Sequence, residues 1–165
     1  MLRHIANLLL LILPPTRFFL LKRLILLATG VKVGVGTRVC GGVQFFGGGK
    51  VIIGKECWIG LNARFYTSVD TVIEIGDCCD IAPDTTFMTG SHLIGHTSRR
   101  AGSGYGKSIS VGKGTWIGMR TTVLPGSEIG DGCVVGAGTL VLGRKYNEDC
   151  LYAGIPASMK KVLDT

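Results

Sequence analysis

Val111-Gly-Lys-Gly-Thr-Trp-Ile117-Gly-Met-Arg-Thr-Thr-Val123-Leu-Pro-Gly-Ser-Glu-Ile129-Gly-Asp-Gly-Cys-Val-Val135-Gly-Ala-Gly-Thr-Leu-Val141 carries an apolar residue at every sixth position. The same interval joins Ile75, Ile81 and Phe87 upstream. Before that it joins Ile53, Ile59, Phe65 and Thr71, the one polar member, and before that Val33, Val39, Phe45 and Val51. A second rule runs in phase. Four residues past the apolar position stands a compact residue, as at Thr37, Cys57, Ala63, Cys79, Thr85, Ser91, Thr115, Thr121, Ser127, Cys133 and Thr139. The position directly after the apolar one is often glycine, as at Gly54, Gly76, Gly112 and Gly118. A period of six with these rules predicts a parallel β-helix. Each hexapeptide supplies one short face and one tight corner. The apolar residue points inward, the compact one admits the turn, and glycine is expected to tolerate the corner's backbone angles. Three faces close a coil, coils stack at roughly 4.8 Å, and stacking buries inner rows that no single coil buries alone.

The count restarts after residues 50, 70 and 92, each time after three hexapeptides. All the extra residues therefore leave from one corner, which predicts a working edge there. The longest insertion, Leu93–Ser110, carries His96, Arg99, Arg100, Tyr105 and Lys107 and is expected to be a lid or binding loop. The spacing leaves the handedness of the coil open.

A length of 165 residues bounds the chain to one domain with short appendages. The expected organisation is an apolar and basic helical segment over 1–30, a β-helix over 31–146 with the loop 93–110, and a tail over 147–165. The net charge of +7 calls for an anionic partner. Its basic residues read as scattered and no nucleic-acid fold signature is present, so polyphosphate ligands or acidic membrane are expected rather than nucleic acid. Six cysteines show no zinc spacing. Three of them, Cys57, Cys79 and Cys133, fill the compact slot and read as small core residues of a protein in a reducing compartment. The histidines are His4, His92 and His96. With His4 outside the coils, no three-histidine metal site is expected.

Leucine-rich runs at Leu8–Leu13 and Phe18–Ala28 flank Pro14-Pro15, beside Arg3, Arg17, Lys22 and Arg23. Neither run reaches the ~18 residues a spanning helix needs. Two readings stay open, a helix lying in a membrane interface and a helix capping the end of the solenoid, and one helix can do both. His92 closes the third hexapeptide of its coil at the root of the long insertion, where an imidazole can act as a general base. Trp116 stands at a corner where an indole can flank a groove, and Asn62 offers a donor and an acceptor on a second face.

At these residues the sequence resembles the hexapeptide-repeat acyltransferases, above all their maltose/galactoside O-acetyltransferase and cell-surface polysaccharide O-acetyltransferase branches. Ile75-Gly-Asp-Cys-Cys-Asp-Ile81-Ala-Pro-Asp-Thr-Thr-Phe-Met-Thr89-Gly-Ser-His92 is similar to that family's run into its catalytic histidine. Trp116-Ile-Gly118, Leu124-Pro-Gly126, Ile129-Gly-Asp131, Val135-Gly-Ala-Gly138 and Ala153-Gly-Ile-Pro-Ala157 follow in the family's order, so the resemblance covers about 31–162. It implies an all-β, left-handed parallel β-helix, a homotrimer, and acetyl-CoA bound in a cleft between subunits. His92 then matches the base, and Asn62 an asparagine facing a sugar or glycan acceptor. Trp116, Gly118, Met119 and Ala137 border the pantetheine arm, and Lys160 and Lys161 lie near the CoA phosphates. Ser158 stands where a basic residue is usual, and Arg99 and Arg100 are candidates to compensate or to hold substrate. No metal is implied. The expected activity is O-acetylation of a sugar hydroxyl in surface-polysaccharide synthesis, in the cytoplasm, with peripheral attachment to the cytoplasmic face of the membrane left open. N-acetylation of an amino sugar and a non-catalytic trimeric scaffold are the rival readings.

Overall fold

The computed structural model describes residues 1–164. Residues 31–153 wind into about six turns of a left-handed parallel β-helix with three sheets along its sides. The first sheet stacks Lys32–Val33, Lys50–Ile53, Val72–Ile75, Ile109–Val111, Glu128–Ile129 and Lys145–Tyr146. The second stacks Arg38–Val39, Trp58–Ile59, Asp80–Ile81, Trp116–Ile117, Val134–Val135 and Cys150–Ala153, and Ser158–Val162 folds back antiparallel on the last of these. The third stacks Gln44–Gly47, Arg64–Thr67, Thr86–Met88, Thr122–Val123 and Leu140–Val141.

The register puts the six-residue rows in line. Phe45, Phe65 and Phe87 pair through the third sheet, and their rings stack at 4.9 and 5.1 Å. On the other two faces the inward rows run on through Tyr146 and Tyr152, so the segment expected as a tail supplies the last strand of the second face. The side chain at Thr71 is buried with its hydroxyl 2.7 Å from that of Thr89, which explains how a threonine holds an inward place.

Two local rules differ from the sequence expectation. The glycines after the apolar positions have no positive φ. They are required because neighbouring coils touch there: a Cβ on Gly118 would lie 2.6 Å from Ala137 N. The left-handed corner residue falls two places later, at Glu56, Asn62, Cys78, Asp84 and Arg120. The compact slot also does more than save space. Thr115 Oγ1 donates to the Gly130 carbonyl at 3.0 Å, Thr37 to Gly54 at 2.6 Å, and the thiols of Cys57 and Cys79 to Gly76 and Gly112 at 3.1 Å. Buried corner carbonyls are satisfied in this way from one coil to the next. All six cysteines are free, only Cys78 is exposed, and burial pushes the Cys133 thiol up.

The N-terminal segment forms α1 (Leu2–Ile12) and α2 (Phe19–Ala28), laid over the open end of the first coil. Leu10 and Leu26 enter the core at 0 % exposure. Polar groups of the helices close the unpaired strand edge. Asn7 receives the Phe45 N–H at 2.9 Å and donates to the Phe45 carbonyl at 3.1 Å. Arg3 donates to the Gly47 and Gly49 carbonyls and Arg23 to Val33. Buried Lys22 ties α2 to the link between the helices by donating to the Pro14 and Pro15 carbonyls, both at 2.8 Å. Among the described residues no helix is long and apolar enough to cross a membrane.

Candidate active site

The long insertion is ordered. Gly90–Ile94 and Ala101–Gly106 form an antiparallel hairpin that leaves the corner between the third and first faces. The chain departs from the hexapeptide rule at Thr89, which is buried, so Ser91 sits half-buried outside the core. His92 pairs across the hairpin with Gly104 and its ring is exposed. Its Nδ1 lies 2.9 Å from the Gly102 carbonyl oxygen. A carbonyl only accepts, so this bond requires the proton on Nδ1 and leaves the Nε2 lone pair open, the tautomer a general base needs.

His92 lines an open cleft of about 660 Å³ with Ser68, Met88, Ser91, Tyr105 and three glycines. Ser68 and Val69 stand at the end of the third face just before the second restart, so the cleft lies at the corner the insertions share. That corner was the only sequence signal for these residues. Tyr105 was marked as part of the long insertion, and Met88 carried no signal of its own.

The other candidates lie elsewhere on the chain. Asn62, with φ 58°, occupies the left-handed turn slot at the opposite edge of the third face from His92, so the two do not meet within one chain. Arg99 and Arg100 sit at the hairpin tip and do not line the cleft. Trp116, half of it exposed, stands in an outward row on the second face that runs from Arg38 through Trp58 and Asp80 to Trp116 and on through Val134 and Leu151 to Lys161. Three strand steps place Lys161 about 14 Å from Trp116. Beside this row Met119 and Ala137 are exposed at the next corner, joined by the Gly138 N–H on the Met119 carbonyl at 2.8 Å, with Gly118 packed beneath. An indole at one end, a bare backbone corner alongside and a lysine at the other end fit an extended ligand with an apolar arm and an anionic end. Lys160 is turned to the Ser158 hydroxyl, to which it donates at 2.9 Å. Trp58, in the same row, packs 5.9 Å from the Phe19 ring and belongs to the cap. Among the described residues no group of three or more His, Cys, Asp or Glu side chains is placed to hold a metal ion.

The second face and the His92 corner lie on opposite sides of the coil. One chain thus carries a base on one side and a ligand-shaped row on the other.

Comparisons with known proteins agree with this architecture. Residues 108–143 match the bacterial transferase hexapeptide family (six repeats), and residues 50–82 the hexapeptide repeat of succinyl-transferase. A galactoside O-acetyltransferase of Escherichia coli (strain K12) is 32% identical over 114 residues, which cover 69% of this chain and 55% of that protein. The solved structure of a galactoside acetyltransferase in complex with coenzyme A superposes with a TM-score of 0.73 at 25% identity, over 99% of this chain and 81% of that one. AntD, an N-acyltransferase from Bacillus cereus in complex with dTDP and coenzyme A, shares the fold with a TM-score of 0.69 at 22% identity, over 82% and 74% of the two chains. The coil, its six-residue rows and its corner insertions are those of a hexapeptide-repeat protein. The chain belongs to the hexapeptide-repeat acyltransferase family. It spans about half the length of the curated relative it matches.

Proposed function

We propose that this chain is an acetyl-CoA-dependent O-acetyltransferase acting on a sugar hydroxyl during the assembly of cell-surface polysaccharide. The observation that carries the reading is His92, exposed on a 660 Å³ cleft with Nδ1 held by Gly102 and Nε2 free. Acetyl-CoA supplies the electrophilic thioester carbonyl. As the acceptor oxygen closes on that carbon, His92 Nε2 takes the hydroxyl proton, and the Gly102 carbonyl holds the imidazolium in place. The same proton then passes from Nε2 to the departing sulfur, so the base is regenerated neutral. A positioned base of this kind contributes roughly 10²–10⁴-fold.

The Trp116–Lys161 row is the surface for the donor's pantetheine arm and phosphates, with Met119 and Ala137 offering backbone groups at the corner. Because this row and His92 lie on opposite sides of one chain, the working site is formed between copies in a homotrimer. The galactoside acetyltransferase relatives support a sugar acceptor and ester formation. The fold likeness to an N-acyltransferase supports the second reading, acylation of an amino sugar by the same base.

The test is CoA release measured against a panel of sugars and lipid-linked glycans. The parent protein should form an alkali-labile ester, and His92→Ala should lower kcat by about 10²–10⁴-fold with CoA affinity unchanged. An alkali-stable product would establish the amide reading instead. Unchanged turnover in His92→Ala would remove the imidazole from the chemistry.

A further inference from the structure

The cap is amphipathic in the wrong sense for a solenoid end that faces water. Terminal caps keep solenoids soluble by turning a polar face outward. Here Arg3, Asn7, Lys22 and Arg23 donate inward to the backbone. The outward surface holds Leu8 at 57 % exposure, Leu11 at 64 %, Leu20 at 67 % and Leu24 at 53 %. Across both helices the only exposed polar side chain is His4.

Charge is segregated to the same end. The first 55 residues hold eight of the 18 Lys and Arg and none of the 11 Asp and Glu. The other ten basic residues are outnumbered by those 11 acids, so the whole net positive charge belongs to the cap and the first coils. The scatter expected from the sequence is in this sense corrected. Arg17 in the link between the helices, Lys32 and Lys50 on the first face, Lys55 just past it and Arg38 on the second face are all exposed, a basic collar behind the leucines that is open on the third side. Apolar side chains projecting beyond a basic collar match an interface in which hydrocarbon lies under anionic headgroups. A second copy docked end to end would set two basic collars against each other.

We propose that the capped end docks on an anionic lipid bilayer, with the outer faces of α1 and α2 in the interface and the collar over the headgroups. The helices lie on the surface and do not span it. Resting on the acetyltransferase reading, the same geometry names the acceptor class. The His92 cleft shares Ser68, Met88 and Gly90 with a groove lined by Phe46 and Tyr66, and that groove shares Gly47 with a cavity at Met1 and Arg3. This path from base to cap suits a glycan carried on a lipid of that same bilayer.

The probe is co-sedimentation of the full chain with vesicles of about 30% phosphatidylglycerol in phosphatidylcholine, against phosphatidylcholine alone, at roughly 0.1 and 0.5 M salt. The parent protein should partition at least about tenfold more strongly to the anionic vesicles and lose most of that advantage at high salt. The combined Leu8→Gln, Leu11→Gln, Leu20→Gln and Leu24→Gln variant should bind about tenfold less or weaker, while its thermal transition and its turnover on a soluble glycoside stay unchanged. If that variant does not fold, Lys32→Glu and Lys50→Glu on the coil strands with Lys55→Glu at the corner after them give the second arm, with loss of anionic binding again expected. A parent protein that stays in the supernatant, pellets equally with neutral vesicles, or keeps its binding in a folded variant overturns the proposal. So does an assembly whose mass halves on leucine replacement without vesicle binding, which marks a self-interface. Turnover on the soluble glycoside reads the acetyltransferase function separately, since it needs no vesicle.

Discussion

A donor at the compact slot decides how well each corner is sealed. At Thr115 the hydroxyl bonds the Gly130 carbonyl of the next coil and also receives the Cys133 N–H at 3.3 Å. Thr115→Val keeps the shape and removes both partners from the hydroxyl. Leaving buried backbone groups unpaired costs roughly 1–3 kcal/mol, so urea denaturation should show a lower midpoint by that free energy with an unchanged slope. A stability within about 0.3 kcal/mol of the parent would show that the slot is selected for size alone. The spacing of the sequence revealed the size rule, because size recurs at a fixed interval. It did not reveal the bonds, because Ala63 fills the same slot without a donor and the acceptor lies a coil away in sequence. His92 shows the same limit. Its position at the root of an insertion was legible. Its tautomer was not, since Gly102 reaches it only through the hairpin pairing.

The cap shows what an element contributes beyond its own propensity. Two helices of 11 and 10 residues are too short to hold in water alone. They persist because Leu10 and Leu26 extend the core and because side chains replace the missing strand on the open edge. Asn7 acts as a one-residue strand, offering Phe45 both an acceptor and a donor. Asn7→Ala strands both Phe45 backbone groups and should cost about 2–4 kcal/mol. For a chain of this size that corresponds to a melting temperature lower by roughly 5–15 °C, read by circular dichroism. Asn7→Asp keeps the acceptor but sets a buried carboxylate oxygen against the Phe45 carbonyl, so it should destabilise at least as much as Asn7→Ala. If both variants melt with the parent, the edge is sealed by apolar contact rather than by these bonds. The leucine runs and the Pro14-Pro15 break were readable as two helical pieces. Their inverted faces were not, because the polar residues of a helix declare a buried side only once the edge they bond is known.

At the scale of the whole molecule, the argument turns on which side of the prism each group occupies. His92 leaves the corner between the third and first faces, and the Trp116–Lys161 row runs along the second face opposite it. No rotation of side chains brings them together within one coil, so the proposed chemistry requires a row from one copy and an imidazole from another. This has a quantitative consequence. His92→Ala alone and Trp116→Glu with Lys161→Glu should each abolish most turnover. Co-expressed in equal amounts, the two chains mix in each trimer. A site then draws an intact imidazole half the time and an intact row half the time, so about a quarter of the parental activity should return. If each site were built within one chain, every chain would carry a lesion and nothing would return. CoA release by the unfractionated co-expressed pool decides between these outcomes, and mixed trimers isolated through a different tag on each chain should show about a third of the parental activity, one intact site in each. The six-residue rows gave the prism, and the order of motifs gave the residues on it. The family resemblance implied a cleft between subunits, and the edge each residue occupies gives that proposal its physical reason.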